Sequence, residues 1–147
     1  MGVADTGTLH HICFVVKDLE KTAESLAKAL SLEWHFFTIE PVSSTVHGQE
    51  VPFSFKGALA QVGGTRYELI SPLTGESVYV EHLKTKGDGF HHTCFSYPSL
   101  EAAHAARDEL LSQGREMVQS ADMGDIGEFY YFHIAEMDAI LEVLYLD

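Results

Sequence analysis

Four side chains stand out because each is a metal-binding type set in an otherwise apolar, strand-like run: His11, Glu68, His92 and Glu142. A lone carboxylate inside a buried strand is costly unless it is paired or bound to a cation. Glu68 in Tyr67-Glu-Leu-Ile and Glu142 in Ile140-Leu-Glu-Val-Leu are both of this kind. The histidines come as doublets, His10-His11 and His91-His92. Strand side chains alternate between faces, so His11 shares a face with Cys13 and Val15, and His92 with Cys94 and Ser96. His10 and His91 then fall on the opposite face, where packing or a backbone bond is expected. Two imidazoles and two carboxylates around one ion suit a borderline divalent metal such as Co, Zn, Mn, Ni or Fe. In six-fold coordination two positions stay open for substrate oxygens. His35, His47, His82, His104 and His133 lack equivalents elsewhere in the chain and are expected to be structural or exposed.

The elements that must position these residues show a repeat. Leu9-His-His-Ile-Cys-Phe returns 81 residues later as Phe90-His-His-Thr-Cys-Phe, and Leu19-Glu20 and Leu30 find partners in Leu100-Glu101 and Leu111. Each copy begins with a strand and continues into an amphipathic helix. Asp18 and Ser99 are the expected N-caps, and Gly114 the expected end of the second helix. The first helix carries the stripe Leu19, Ala23, Leu26, Ala27 and Leu30; the second carries Leu100, Ala103, Ala106, Leu110 and Leu111. Strands are expected at about 33–40, 52–62 and 65–71 in the first half, with a Gly63-Gly64 turn. In the second half they are expected at about 115–120, 128–134 and 139–146. The architecture predicted is α+β, two pseudo-symmetric β-α-β-β-β modules in one domain over 1–147. Module 1 covers about 9–72, a linker helix about 76–87, and module 2 about 89–147.

Composition narrows the function classes. The chain has 147 residues, 46% of them apolar, and a net charge of −13 with nine basic residues that form no cluster. Nucleic acid and anionic membrane surfaces need a basic face, so neither is an expected partner. No apolar run is long enough to span a bilayer. The start, Met1–Leu9, lacks the basic and apolar segments of a signal peptide. Gly2 and Thr6 fit a loose myristoylation pattern, but an ordinary disordered N-terminus is the expectation there. Cys13 and Cys94 sit in strand-like runs and are expected to be reduced, buried thiols. Together these features predict a cytoplasmic protein with a small-molecule substrate.

His11-Ile-Cys-Phe-Val-Val-Lys-Asp-Leu-Glu-Lys, Glu68-Leu-Ile-Ser-Pro-Leu and Gly87-Asp-Gly-Phe-His-His together resemble the vicinal oxygen chelate superfamily, the glyoxalase, bleomycin-resistance and dioxygenase fold. The resemblance covers almost the whole chain. From Glu68 through Ser77 to His92 it is most similar to the methylmalonyl-CoA epimerases. It implies paired βαβββ modules whose curved sheets form a cup around a metal, with ligands on His11, Glu68, His92 and Glu142, and it favours a homodimer. Three places depart from the pattern. A base carboxylate of some epimerases is matched near Gly57, which cannot abstract a proton. The segment before the last strand reads Phe132-His-Ile-Ala-Glu-Met-Asp138, and the first-strand Arg of glyoxalase I is matched by Val15.

The resemblance implies a metal-dependent isomerase of the epimerase type. Its substrate would be an acyl thioester with a second carbonyl or carboxylate β to the first, both oxygens on the metal. The ion would stabilise the enolate formed when the α proton leaves. With Gly57 at the usual place, Glu142 or Glu68 is the candidate base, and Glu50 and His47 are weaker ones. A glyoxalase-type lyase acting on a thiol hemithioacetal is the alternative. An Fe(II) ring-cleaving dioxygenase is disfavoured because Glu68 would crowd its facial triad. A non-catalytic binding protein of the resistance type would lack the ligands. For such a protein, Phe53, Phe55, Phe129, Tyr130 and Tyr131 would offer an apolar lining, though aromatic residues on strands usually serve the core.

Overall fold

The computed structural model describes residues 2–147; the first residue of the N-terminal expectation, Met1, lies outside them. The elements run α1 (Val3–Thr6), β1 (Thr8–Val15), α2 (Leu19–Leu30), β2 (His35–Ile39), β3 (Ser43–Val46), β4 (Gln49–Glu50), β5 (Ser54–Val62) and β6 (Thr65–Thr74). After them come α3 (Val78–Thr85), β7 (Gly89–Ser96), α4 (Leu100–Ser112), β8 (Glu116–Asp122), β9 (Gly127–Ile134) and β10 (Ala139–Leu146). The caps form as the sequence implies: Asp18 Oδ1 accepts from Lys21 N–H and Ser99 Oγ from Ala102 N–H, both at 3.1 Å. Each such cap contributes about 1 kcal/mol.

All ten strands join one sheet in the order β2-β5-β6-β1-β7-β10-β9-β8-β3-β4. The two halves meet where β1 and β7 run antiparallel. On either side of that seam the neighbours repeat. β1 pairs in parallel with β6, placing Cys13 opposite Glu68, and β7 pairs in parallel with β10, placing Cys94 opposite Glu142.

Alternation sorts the apolar residues onto two faces. One face carries a single core shared by both halves, including Val15, Phe55, Ile70, Phe129, Tyr131 and Leu144. The other carries two separate cores. One lies around α2, with Val16, Leu19, Ala23 and Leu69; the other lies around α4, with Ala103, Leu110, Phe132 and Val143. The shared core identifies the inner face of the curled sheet, and α3 closes part of it. Tyr79 on α3 is fully buried, its hydroxyl 2.7 Å from that of Tyr131, and Val78 N–H donates to Gln119 Oε1 at 3.0 Å.

Three expectations are corrected. Residues 41–51, where no strand was expected, form the β3–β4 hairpin around His47 and Gly48, both with positive φ, and β3 pairs with the distant β8. Such short strands are held by tertiary pairing rather than by their own pattern. The N-terminus expected to be disordered forms the single turn α1, against which Tyr97 packs, its hydroxyl donating to Val3 O at 2.9 Å. Leu30 and Leu111, at the ends of the two helical stripes, stay half exposed; in the last turn of α4 the inward position is taken by the neighbouring Leu110. Among the described residues no helix is long and apolar enough to cross a membrane.

Candidate metal centre

His11, Glu68, His92 and Glu142 lie on β1, β6, β7 and β10, the four central strands, and all point to the inner face. Their exposures are 2%, 9%, 0% and 4%. One donor atom from each lies within 4.8 Å of all the others. His11 Nε2 is 3.1 Å from both Glu68 Oε1 and Glu142 Oε1. His92 Nε2 is 3.0 Å from Glu142 Oε1 and 3.7 Å from Glu68 Oε1, and the two Nε2 atoms are 3.3 Å apart.

The donor set fits a divalent ion on two grounds. Donors about 2.1 Å from a common ion are about 3.0 Å apart at right angles and about 3.4 Å apart tetrahedrally; four of the five separations fall in that range, and only His92 to Glu68, at 3.7 Å, is wider. Glu142 Oε1 is also fully buried with no protein donor aligned on it, facing two ring nitrogens. Two buried carboxylates beside two neutral imidazoles leave two uncompensated negative charges, which a divalent cation would neutralise.

In the metal-free protein a proton partly does this work. Burial opposes charging His11, but Glu68 and its neighbours outweigh burial and hold the His11 pKa well above its ordinary 6.5. Burial likewise opposes ionisation of Glu142, but the His11 and His92 imidazoles beside it outweigh burial and hold the carboxyl well below its ordinary 4.5. The raised His11 value contributes stability that is complete below pH 6.5 and lost as pH rises through the folded value. The lowered Glu142 value contributes stability present above pH 4.5 and lost in acid. With chelator present, the melting temperature is therefore expected to fall as pH is raised above about 6.5. Thermal denaturation across pH 5–9 checks this, and a flat profile would contradict it.

His10 and His91 do not behave as strand alternation predicts. Each sits at a β-bulge: His10 is the extra residue between the pairs Leu9↔Phe95 and His11↔Cys94. His91 is the extra residue between Cys13↔His92 and Phe14↔Phe90. A bulge re-aims the side chain it carries. As a result His10 Nδ1 lies 2.8 Å from His11 Nδ1, and His91 Nδ1 lies 2.7 Å from His92 Nδ1. Reading faces from period two alone missed these contacts; the doubled histidine was the available signal. The thiols Cys13 and Cys94 are reduced and fully buried across the β1–β7 seam.

The cluster opens into a cavity of about 460 Å³. His11, Glu68 and Glu142 lie in its wall with His10, while Phe37, Phe55, Ile70, Phe129 and Tyr131 make it largely apolar. Phe53 stays in the core and Tyr130 packs under α4. His47 instead lines a separate polar cleft and pairs with Glu81, and Glu50 is exposed on β4; neither borders the cavity. Gly57 leaves no hole, because a Cβ there would lie 2.4 Å from Phe37 Cζ. The Phe37 ring occupies the room that a side chain at 57 would need. His35 borders the cavity from β2 and is exposed, His104 pairs with Glu128 and His133 with Asp138, as expected of structural or exposed histidines.

A sequence model described as the Glyoxalase/Bleomycin resistance protein/Dioxygenase superfamily matches residues 10–132. The methylmalonyl-CoA epimerases called mitochondrial from Bos taurus and Homo sapiens are each 32% identical over 102 residues. Those residues are 69% of this chain and 53% and 52% of the relatives, so the chain spans about half the length of the curated relatives it matches. Among solved structures, the methylmalonyl-CoA epimerase of Mycobacterium tuberculosis superposes with TM-score 0.66 at 20% identity, covering 95% of this chain and 87% of that one. A variant of the Streptomyces coelicolor methylmalonyl-CoA epimerase, in complex with 2-nitronate-propionyl-CoA, also gives 0.66. It is 18% identical and the match covers 96% and 97% of the two chains.

Proposed function

The chain belongs to the glyoxalase/bleomycin resistance protein/dioxygenase superfamily, and on that premise we propose that it is a divalent-metal-dependent epimerase. The proposed substrate is an acyl thioester carrying a second carbonyl or carboxylate β to the first. The observation that carries this reading is the convergence of His11, Glu68, His92 and Glu142, the first, second and fourth of which lie in the wall of an apolar cavity. The relatives named methylmalonyl-CoA epimerase support the reaction class.

A divalent cation held by these four residues would supply Lewis acidity toward two substrate oxygens, lowering the cost of removing the proton between them. The protein's own groups do the rest. Phe37, Phe55 and Phe129 bound the acyl chain and exclude water, which strengthens every electrostatic contact within. Proton removal needs a base in the cup, and Glu68 and Glu142 are the carboxylates that border it among the described residues. Glu142 is held on both sides, at 3.0 and 3.1 Å from the two imidazoles. Glu68 contacts His11 closely but stands 3.7 Å from His92 and is the more exposed of the two. Glu68 is therefore the carboxylate that can turn toward the α proton, with Glu142 staying in place.

Metal-loaded protein is expected to exchange the α proton of a methylmalonyl thioester for deuterium in heavy water, followed by proton NMR. Absence of exchange would end the epimerase reading. Turnover of a thiol hemithioacetal in its place would move the chain to the lyase class.

A further inference from the structure

We propose that His10 and His91 are positioning residues: each accepts a hydrogen bond at Nδ1 from the Nδ1–H of the histidine that follows it. Each thereby fixes the tautomer and ring direction of a metal ligand. The inference rests on the reading of His11 and His92 as ligands.

The argument starts from the ring nitrogens. His11 and His92 turn their Nε2 atoms toward Glu68, Glu142 and each other. A nitrogen that binds a cation must offer a lone pair, so the ring proton has to be on Nδ1. His10 Nδ1 lies 2.8 Å from His11 Nδ1 and His91 Nδ1 lies 2.7 Å from His92 Nδ1, with the Cys94 thiol also beside the His11 ring. Both supports must then be acceptors at Nδ1 and carry their own proton on Nε2. Metal-bound histidines usually give this proton to a carboxylate or a backbone carbonyl; here a second imidazole takes that place in both halves.

The backbone makes the contact possible. Successive strand residues point apart, so neighbouring imidazoles would not ordinarily meet through Nδ1. The two bulges on β1 and β7 each insert their extra residue at the supporting histidine, His10 and His91. The rings are nearly perpendicular, at 80° and 79°, so an in-plane donor on one ring meets the other without stacking. The supports face different spaces. His10 borders the apolar cup, while His91 is buried beside Tyr79, Tyr131 and His82 at the floor of the polar cleft.

The test compares wild type with His91→Ala and His91→Asn, using Co(II) titration and zinc competition against a chelator. The asparagine variant retains a carbonyl acceptor. Loss of an outer-shell partner typically weakens metal binding about 10–100-fold. His91→Ala is expected to show that loss, and His91→Asn to recover most of it. In zinc-loaded, 15N-histidine-labelled protein, the His92 Nδ1–H resonance is expected in wild type and His91→Asn, and broadened by exchange in His91→Ala. His10→Ala repeats the test at a partly buried position outside the three apolar cores. Equal affinity and an unchanged His92 signal in the alanine variants would overturn the proposal while leaving the metal site standing. Failure of wild type to bind either ion would overturn the metal site itself and this inference with it.

Discussion

Replacing Glu142 with glutamine is expected to abolish both divalent-ion binding and thioester exchange, with the rate falling at least about a thousandfold, or about 4 kcal/mol in the barrier. The substitution barely changes volume, so packing around β10 should survive and the loss reads out charge. Glu142 is 4% exposed, stands 3.0 and 3.1 Å from the two Nε2 atoms, and has no aligned protein donor on Oε1. A neutral amide there removes one of the two negative charges that call for a cation. It also allows an NH2 group to face two nitrogens that need lone pairs for the ion. Chelator competition measures the affinity, the deuterium assay measures the rate, and the exposed Glu116→Gln serves as control. Wild-type affinity in Glu142→Gln would mean that the four residues are not the ligands.

A second large effect is expected at a residue that touches no ligand. Gly127 begins β9, has φ +143° and pairs with Leu146 at the end of β10. A Cβ there would lie 1.9 Å from Tyr145 O, which is backbone and cannot swing aside. Gly127→Ala therefore combines a φ that L-residues avoid with a backbone overlap, at a cost of about 3–5 kcal/mol. For a chain of this length that lowers the melting temperature by roughly 10 °C or more. The strain falls on the β9–β10 pair, and β10 carries Glu142, so metal affinity should weaken along with stability. Calorimetry with and without divalent ion would show both effects. A melting temperature within a degree or two of wild type would contradict the steric argument.

Legibility from sequence followed the range of the interactions involved. The period-two alternation of β1 and β7, and the single acids in β6 and β10, chose the residues that the fold brings within 4.8 Å. Alternation is a local property, and two copies of one pattern remove most of the ambiguity of each. Asp18 and Ser99 as caps, the Gly63 turn and the strands of the second half were legible for the same reason. The β3–β4 hairpin was not, because four- and two-residue strands carry too little pattern to be read without β8 beside them. His47 and Glu50 had been possible bases by chain position alone, and that hairpin holds them away from the cup.

The sequence by itself determined which four side chains face a common centre, since burial pattern and repeat depend on residue order alone. Only the tertiary structure decided what surrounds them. The Phe37 ring fills the space beside Gly57 because β2 and β5 pair in that register. The His10 and His91 rings turn toward their neighbours because the β1–β7 seam slips by one residue at each doublet. Register between strands some 80 residues apart is a non-local quantity, set by which pairing satisfies both cores at once. A period counted along one strand carries no record of it.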